Sequence, residues 1–258
     1  MLTSSRPITE APSAVSIVEC TKVFGRDASA IVALDRVSLE VAPGEFVCLL
    51  GASGCGKSTL LNLIAGLDRP TSGRVDVHGA RVSLMFQEAA LFPWLTVGGN
   101  VDLALKLAAV PRRERAARVE QLLTMVHLAA FTKRRPHELS GGMRQRVALA
   151  RALAQDAQVL LMDEPFGALD AMTRDSLHDE LETVWRETGK TVVFVTHNVR
   201  EAVRLGDRVV LLASRPGRVA NIYDIEIPRP RRLDSPEVAT QAAALTDRLK
   251  EVAGGSRD

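Results

Sequence analysis

The sequence has no disulfide framework: its three cysteines, Cys20, Cys48 and Cys55, show neither C-x-x-C spacing nor an even count. That excludes a stapled secreted scaffold and favours a reducing compartment, with Cys20 and Cys48 read as small buried thiols. No apolar run reaches the roughly 18 residues that a membrane-crossing helix needs, so any membrane role must come through a partner. The start of the chain has no apolar run behind a basic segment. Residues 1–14 are polar and contain Pro7 and Pro12, and the expectation is a loose tail instead of a signal peptide or anchor. Charge of one sign is also missing. Lys and Arg number 33 against 31 Asp and Glu, for a net +2, which is too weak a field to argue for nucleic acid. Internal repeats and low-complexity segments are absent. What remains is a chain of 258 residues, 46% hydrophobic, long enough to bury a full core.

Short β-type runs recur at residues 15–18, 31–41, 45–50, 82–86, 159–162, 191–195 and 208–212. Residues 158–162 (QVLLM) and 191–195 (TVVFV) are unbroken and do not alternate, as central strands covered on both faces must be; this predicts an α/β core with a parallel sheet. Between them, Ala116, Val119, Leu122 and Leu123 share a helical face within residues 112–125. Val147, Ala150 and Leu153 do the same within 142–155. Residues 87–154 therefore read as a helical insertion. Beyond residue 228 a proline- and arginine-rich stretch leads to a helical candidate at 236–252, with no room for a second domain.

The strongest motif is Gly51-Ala52-Ser53-Gly54-Cys55-Gly56-Lys57-Ser58, a match to G-x-x-x-x-G-K-[ST] that follows an apolar strand and precedes a helix, as its mechanics require. The glycines let backbone N–H groups wrap a phosphate chain, the next helix points its positive end at the anion, and Lys57 reaches the outer phosphates. Ser58 is the expected Mg²⁺ ligand, with Thr59 beside it in the nucleotide-binding set. Downstream, residues 159–162 run into Asp163 and Glu164, the Walker B pattern. Asp163 would hold the Mg²⁺ shell and Glu164 could act as general base toward the attacking water. ATP with Mg²⁺ is the expected ligand.

A second anion-facing element stands at Leu139-Ser140-Gly141-Gly142-Met143-Arg144-Gln145-Arg146, where small residues open another helix. One ATP does not need both devices, so the second is expected to serve the nucleotide of another copy, which implies a dimer. At this point the sequence resembles the ATP-binding cassette (ABC) family, whose signature motif is similar to residues 139–146 and precedes the Walker B strand as here. The resemblance covers about residues 15–219. It implies that Gln87 is the hinge glutamine that senses Mg²⁺, that Gly167-Ala168-Leu169-Asp170 forms the D-loop and that His197 is the switch histidine assisting hydrolysis. Phe24 matches the aromatic that stacks on adenine, with a core aromatic as the alternative reading. Met143 stands where the family most often has glutamine, while Ser140, Gly141 and Gly142, which carry the phosphate contacts, are intact. His78, His127, His137 and His178 have no such context and read as structural.

The family's fold is a P-loop NTPase core, RecA-like, with an N-terminal antiparallel β subdomain and an inserted α-helical subdomain. Carried over, that gives a tail at 1–14, an ATPase domain at 15–230 with its helical part at about 88–155, and a C-terminal helical tail at 231–258. Repair, chromosome and translation relatives carry zinc modules, coiled coils or paired cassettes, none of which is present. The likeness therefore points to the ATPase subunit of a multi-chain bacterial importer, similar to the nitrate, sulfonate, taurine and bicarbonate group. Such a subunit works peripherally, on the cytoplasmic face of the inner membrane. Its partners would be a second, head-to-tail copy, permease subunits and, indirectly, a solute-binding protein, with no nucleic acid. The expected permease dock is Leu91-Phe92-Pro93-Trp94-Leu95-Thr96-Val97, because Phe, Pro and Trp together are unusual at a solvent-exposed tip; a small core beneath the insertion is the alternative. A non-transport ATPase acting on a soluble or nucleic-acid partner, and a simple P-loop kinase, are the rival functions.

Overall fold

The structure, a computed structural model, describes residues 13–254. The tail expected over residues 1–14 lies outside the described residues as far as residue 12, and so do residues 255–258 of the C-terminal tail. Two compact units are formed, one from the described residues through Ala80 together with those from Thr191 onward, the other from Arg81–Lys190. The first unit begins with β1 (Val15–Phe24), β2 (Ile31–Val41), β3 (Phe46–Leu50), α1 (Lys57–Ile64) and β4 (Ser72–Asp76). The second holds β5 (Val82–Met85), α2 (Val97–Leu107), α3 (Arg112–Met125), α4 (Gly141–Ala154), β6 (Val159–Asp163) and α5 (Ala171–Thr188). The chain then returns to the first with β7 (Thr191–Thr196), α6 (Val199–Leu205), β8 (Arg208–Ala213), β9 (Arg218–Asp224) and α7 (Pro236–Gly254).

In the first unit β7, β3, β8 and β9 lie side by side in that order. β3 runs parallel to both β7 and β8, and β9 closes the edge antiparallel to β8. Every residue of β3 and β7 is buried, which explains their lack of alternation: both faces are covered. Each buried Val, Leu or Phe there contributes roughly 1.5–3 kcal/mol by leaving water. The register sets Leu50 opposite both Thr196 and Leu211. Gly51 and His197 therefore leave adjacent strands at the same carboxyl edge, where parallel sheets present ligand-binding groups.

The antiparallel sheet of this unit has the order β2-β1-β4. β1 continues to Phe24, past the expected end at residue 18, because register shifts after Ile17 and a positive φ at Glu19 fold a bulge into it; the bulge breaks the alternation that marks a strand. β4 and β9 were not legible. β4 reads SGRVD and has one apolar residue, Val75, opposite Ile17, while β9 is mostly half-buried or exposed. Edge strands bury less side chain and so carry a weaker pattern.

In the second unit β5 and β6 pair in parallel with Met85 opposite Met162, which brings the residues after Met85 and the carboxylates after Met162 to one edge. α4 buries Val147, Ala150 and Leu153 as their spacing predicts. α3 buries Val119, Leu122 and Leu123, whereas Ala116, expected on that face, is exposed. Thr96, Ser140 and Asp170 cap α2, α4 and α5 by accepting from the amides of Gly99, Met143 and Thr173, each cap contributing about 1 kcal/mol. Among the described residues no helix is long and apolar enough to cross a membrane.

Candidate functional site

Residues 51–56 join β3 to α1, and the glycines in this turn are there for space. A Cβ at Gly51 would lie 2.6 Å from Cys55 Sγ and 2.8 Å from the Leu212 carbonyl oxygen. Gly56, at φ +93, would drive one to 2.6 Å from Leu34 and 2.9 Å from the Ala33 oxygen. Gly56 is also the N-cap of α1 and supplies no side-chain hydrogen bond to the first amides of the helix, which stand at the positive end of its dipole. Lys57 is only 5% exposed. Its Nζ donates to the carbonyls of Gly51 at 2.8 Å and Ala52 at 3.0 Å, which suspends the ammonium inside the loop. Ser53, Gly54 and Ser58 are exposed, and Thr59 is half-buried. Cys55 is fully buried, and burial pushes its thiol up, against the lowering effect of the Lys57 charge. A neutral thiol adds no negative charge where phosphates would lie.

A turn downstream backs this loop. Gly217 donates to the Ala33 carbonyl at 3.0 Å and accepts from the Asp35 amide at 2.9 Å, and a Cβ on it would stand 2.4 Å from the Cys55 carbonyl oxygen. Arg218 is paired with Asp35. The Arg-Pro-Gly-Arg run at 215–218 thus has a physical purpose, since only glycine lets this strap approach the loop. His197 follows β7 and is exposed. Phe24 closes β1 at 45% exposure, outside the core. Lys22 Nζ lies 5.0 Å from its ring centroid and 2.6 Å from Asp68, whose carboxyl that hydrogen bond holds low. The ammonium thereby steadies one side of the ring.

In the second unit Glu164 adopts φ +44, a left-handed conformation uncommon for a side-chain-bearing residue. Its carbonyl accepts from the Gly167 amide at 3.2 Å. A Cβ at Gly167 would lie 3.7 Å from both Gln87 Nε2 and Glu164 Oε2, so the two side chains converge on that glycine. Asp163 ends β6 half-buried. α4 grips the segment around Gln87: Gln145 Nε2 donates to the Gln87 carbonyl at 2.7 Å, and Arg151 donates to the carbonyls of Ala90 at 2.7 Å and Ala89 at 2.9 Å. Burial lowers the pKa of Arg151, and the two carbonyls replace the water it has lost. Neither Gln145 nor Arg151 was found from sequence, because a side-chain bond to a distant carbonyl leaves no local spelling.

At the start of α4, Ser140 Oγ accepts from the Met143 amide at 3.3 Å. That bond uses the backbone of residue 143, so methionine serves where the family usually has glutamine. Gly142 faces α5, where a Cβ would meet Thr173 Cγ2 at 2.4 Å, while Gly141 has 3.3 Å to Leu169. Asp170 caps α5, and hydrogen bonds from the Thr173 side chain and amide hold its carboxyl below the usual range. Arg174 ties the intervening turn by donating to the Phe166 and Leu169 carbonyls. In the expected docking loop Trp94 is 67% exposed and its ring lies 5.4 Å from that of Phe92. Val97, by contrast, is fully buried at the start of α2. Of the remaining histidines, His178 is buried edge-on against Phe166, and His78 hydrogen-bonds Ser16 at the surface.

The chain as a whole is similar to known proteins. The ABC transporter family profile matches residues 34–167. The taurine import ATP-binding protein of Burkholderia thailandensis is 50% identical over 214 residues, 80% of this chain and 82% of the relative. The nitrate import ATP-binding protein of Synechocystis is 46% identical over 221 residues, 83% of each. Among solved structures, a dimeric ATP-binding cassette in a post-hydrolysis state, bound to ADP and Pi, superposes with a TM-score of 0.73 at 35% identity. It covers 83% of this chain and 100% of that one.

Proposed function

The chain belongs to the ABC transporter family, and from that premise we propose that two copies of it pair head to tail as the motor of a bacterial importer, moving a small solute of the nitrate, sulfonate, taurine or bicarbonate kind through separate permease subunits. The observation that supports this reading is the presence of two helix starts built from small residues on one chain, at Gly56-Lys57-Ser58 and Ser140-Gly141-Gly142. In a head-to-tail pair each ATP is held by the first device of one copy and the second of its partner. ATP binding and hydrolysis belong to the family. The solute class is supported by the taurine and nitrate import relatives.

In this reading Lys57 turns its ammonium from the Gly51 and Ala52 carbonyls to the outer phosphates, and Phe24 stacks on adenine. Glu164 accepts a proton from the attacking water, and His197 assists hydrolysis; positioning and charge are what phosphoryl transfer demands of a protein. The Ser58 hydroxyl, the Asp163 carboxylate and the Gln87 amide oxygen are hard donors suited to Mg²⁺. Among the described residues no cluster of three or more His, Cys, Asp or Glu is placed to hold a metal ion; in this reading the ion is shared with the nucleotide. Bound there, it would offset phosphate charge. Asp170 and the rest of its turn belong to the contact between copies. The permease docks at the exposed Trp94 and its loop on the cytoplasmic face, and a solute-binding protein is reached only through that permease.

The test is Glu164→Gln with MgATP. The expected result is a shift of solution mass from monomer to dimer, with turnover reduced by about 10²-fold or more. Parent-level turnover would remove Glu164 as the base, and a mass unchanged by MgATP would overturn the pairing.

A further inference from the structure

His197 is exposed, but both of its neighbours are anchored. Thr196 Oγ1 donates to Glu201 Oε2 at 2.6 Å and accepts from the Asn198 amide at 2.9 Å. The Asn198 side chain in turn caps α6 by accepting from Arg200 and Glu201. The start of α6 therefore fixes the backbone on which the imidazole stands. α6 has only seven residues, too short to hold itself together in water, and the carbonyls of its last turn need partners from elsewhere.

Those partners come from the segment after β9. Arg231 is 5% exposed and donates to the carbonyls of Val203 at 3.0 Å, Arg204 at 3.4 Å and Gly206 at the end of α6. It also donates to Ile225 at 2.9 Å and Ile227 at 2.7 Å on its own segment. Arg204 Nε returns a bond to the Arg231 carbonyl at 3.1 Å, and Arg229 reaches the Leu205 carbonyl and Asp207. Beneath α6 the thiol of Cys48 on β3 is pushed far up by burial and feels Arg229, Glu201, Asp207 and Arg231 together. Glu201, which holds Thr196, and Arg231, which clamps the far end of the helix, are each 5% exposed.

The geometry points to Arg231 as a positioning residue for His197: the C-terminal segment clamps α6, and α6 sets where the imidazole stands. This inference rests on the proposed role of His197 in hydrolysis. Arg231 touches no reacting atom and acts only through the histidine.

The experiment is a double-mutant cycle on the full chain, with MgATP hydrolysis as readout and circular dichroism as the check on folding. Arg231→Met should lower kcat on the order of tenfold, as a small misplacement of an assisting group does, with KM for ATP within about twofold of the parent because the phosphate loop is untouched. His197→Ala should lower kcat further, and adding Arg231→Met to it should change nothing, since the clamp has lost what it positions. Full multiplicative losses, or an unchanged kcat in folded Arg231→Met, would overturn the inference while leaving the role of His197 intact. Parent-level kcat in His197→Ala would instead remove that role, and the inference with it. If Arg231→Met does not fold, Thr196→Val carries the same cycle, because it deletes the hydroxyl that joins Glu201 to Asn198 at constant shape. Its kcat loss is expected to vanish in the His197→Ala background, and persistence there counts against the clamp.

Discussion

The two helices that begin at anion-facing turns, α1 and α4, begin differently. α1 is capped by a glycine that offers its amides nothing, and the turn before it is braced on several sides by Cys55, Leu34, Ala33 and Leu212. α4 is capped by a serine that already satisfies one amide, and its two glycines meet only the side chains of Leu169, Thr173 and Arg144. The first start is a socket braced by its surroundings, with the Lys57 ammonium held inside it by the Gly51 and Ala52 carbonyls. The second is a rim, with Gly142 buried against α5 and Gly141 half-buried beside it. In the proposed pairing, the socket of one copy and the rim of the other hold one ATP between them.

The sharpest way to break that contrast is Gly56→Ala. The new methyl meets the Ala33 carbonyl at a φ that L-residues avoid, so a loss of about 3 kcal/mol in stability is expected, together with nucleotide binding; thermal unfolding and ATP titration check it. Next in size is Lys57→Ala. Removing a charge-assisted contact of about 1.5–3 kcal/mol should weaken ATP affinity roughly 10- to 100-fold, as calorimetric titration would read, and unchanged affinity would contradict the socket. The smallest effects should separate the two rim glycines. Gly142→Ala forces a methyl to 2.4 Å from Thr173 and should cost about 1–3 kcal/mol in denaturant unfolding. Gly141→Ala has 3.3 Å of room and should stay within about 0.5 kcal/mol of the parent. Equal costs at 141 and 142 would show that packing against α5 does not set the rim.

What the sequence disclosed depended on how locally each feature is written. The phosphate loop is spelled in eight consecutive residues, because one backbone path demands glycine at 51 and 56 and a lysine just inside the helix. β3 and β7 were legible because burial on both faces removes alternation. β4 and β9 were hidden because an edge strand writes half a pattern, and the bulge at Glu19 concealed the second half of β1. For Phe24 the sequence left stacking and core packing open, and its 45% exposure takes it out of the core. The left-handed turn at Glu164, the brace from Gly217 and the grip of Gln145 and Arg151 arise from tertiary approach, which a one-dimensional pattern does not record.

That grip has a mechanical consequence. α4 is a rod of 14 residues, about 21 Å long at 1.5 Å per residue, with Ser140 at its tip. Along its shaft it is riveted to three carbonyls of the Gln87 segment, at residues 87, 89 and 90. Each rivet is a side chain of the rod, Gln145 or Arg151, fastened to a main-chain carbonyl of the segment. A load placed on residues 87–90 therefore bears, through two side chains, on the rod that begins at Ser140.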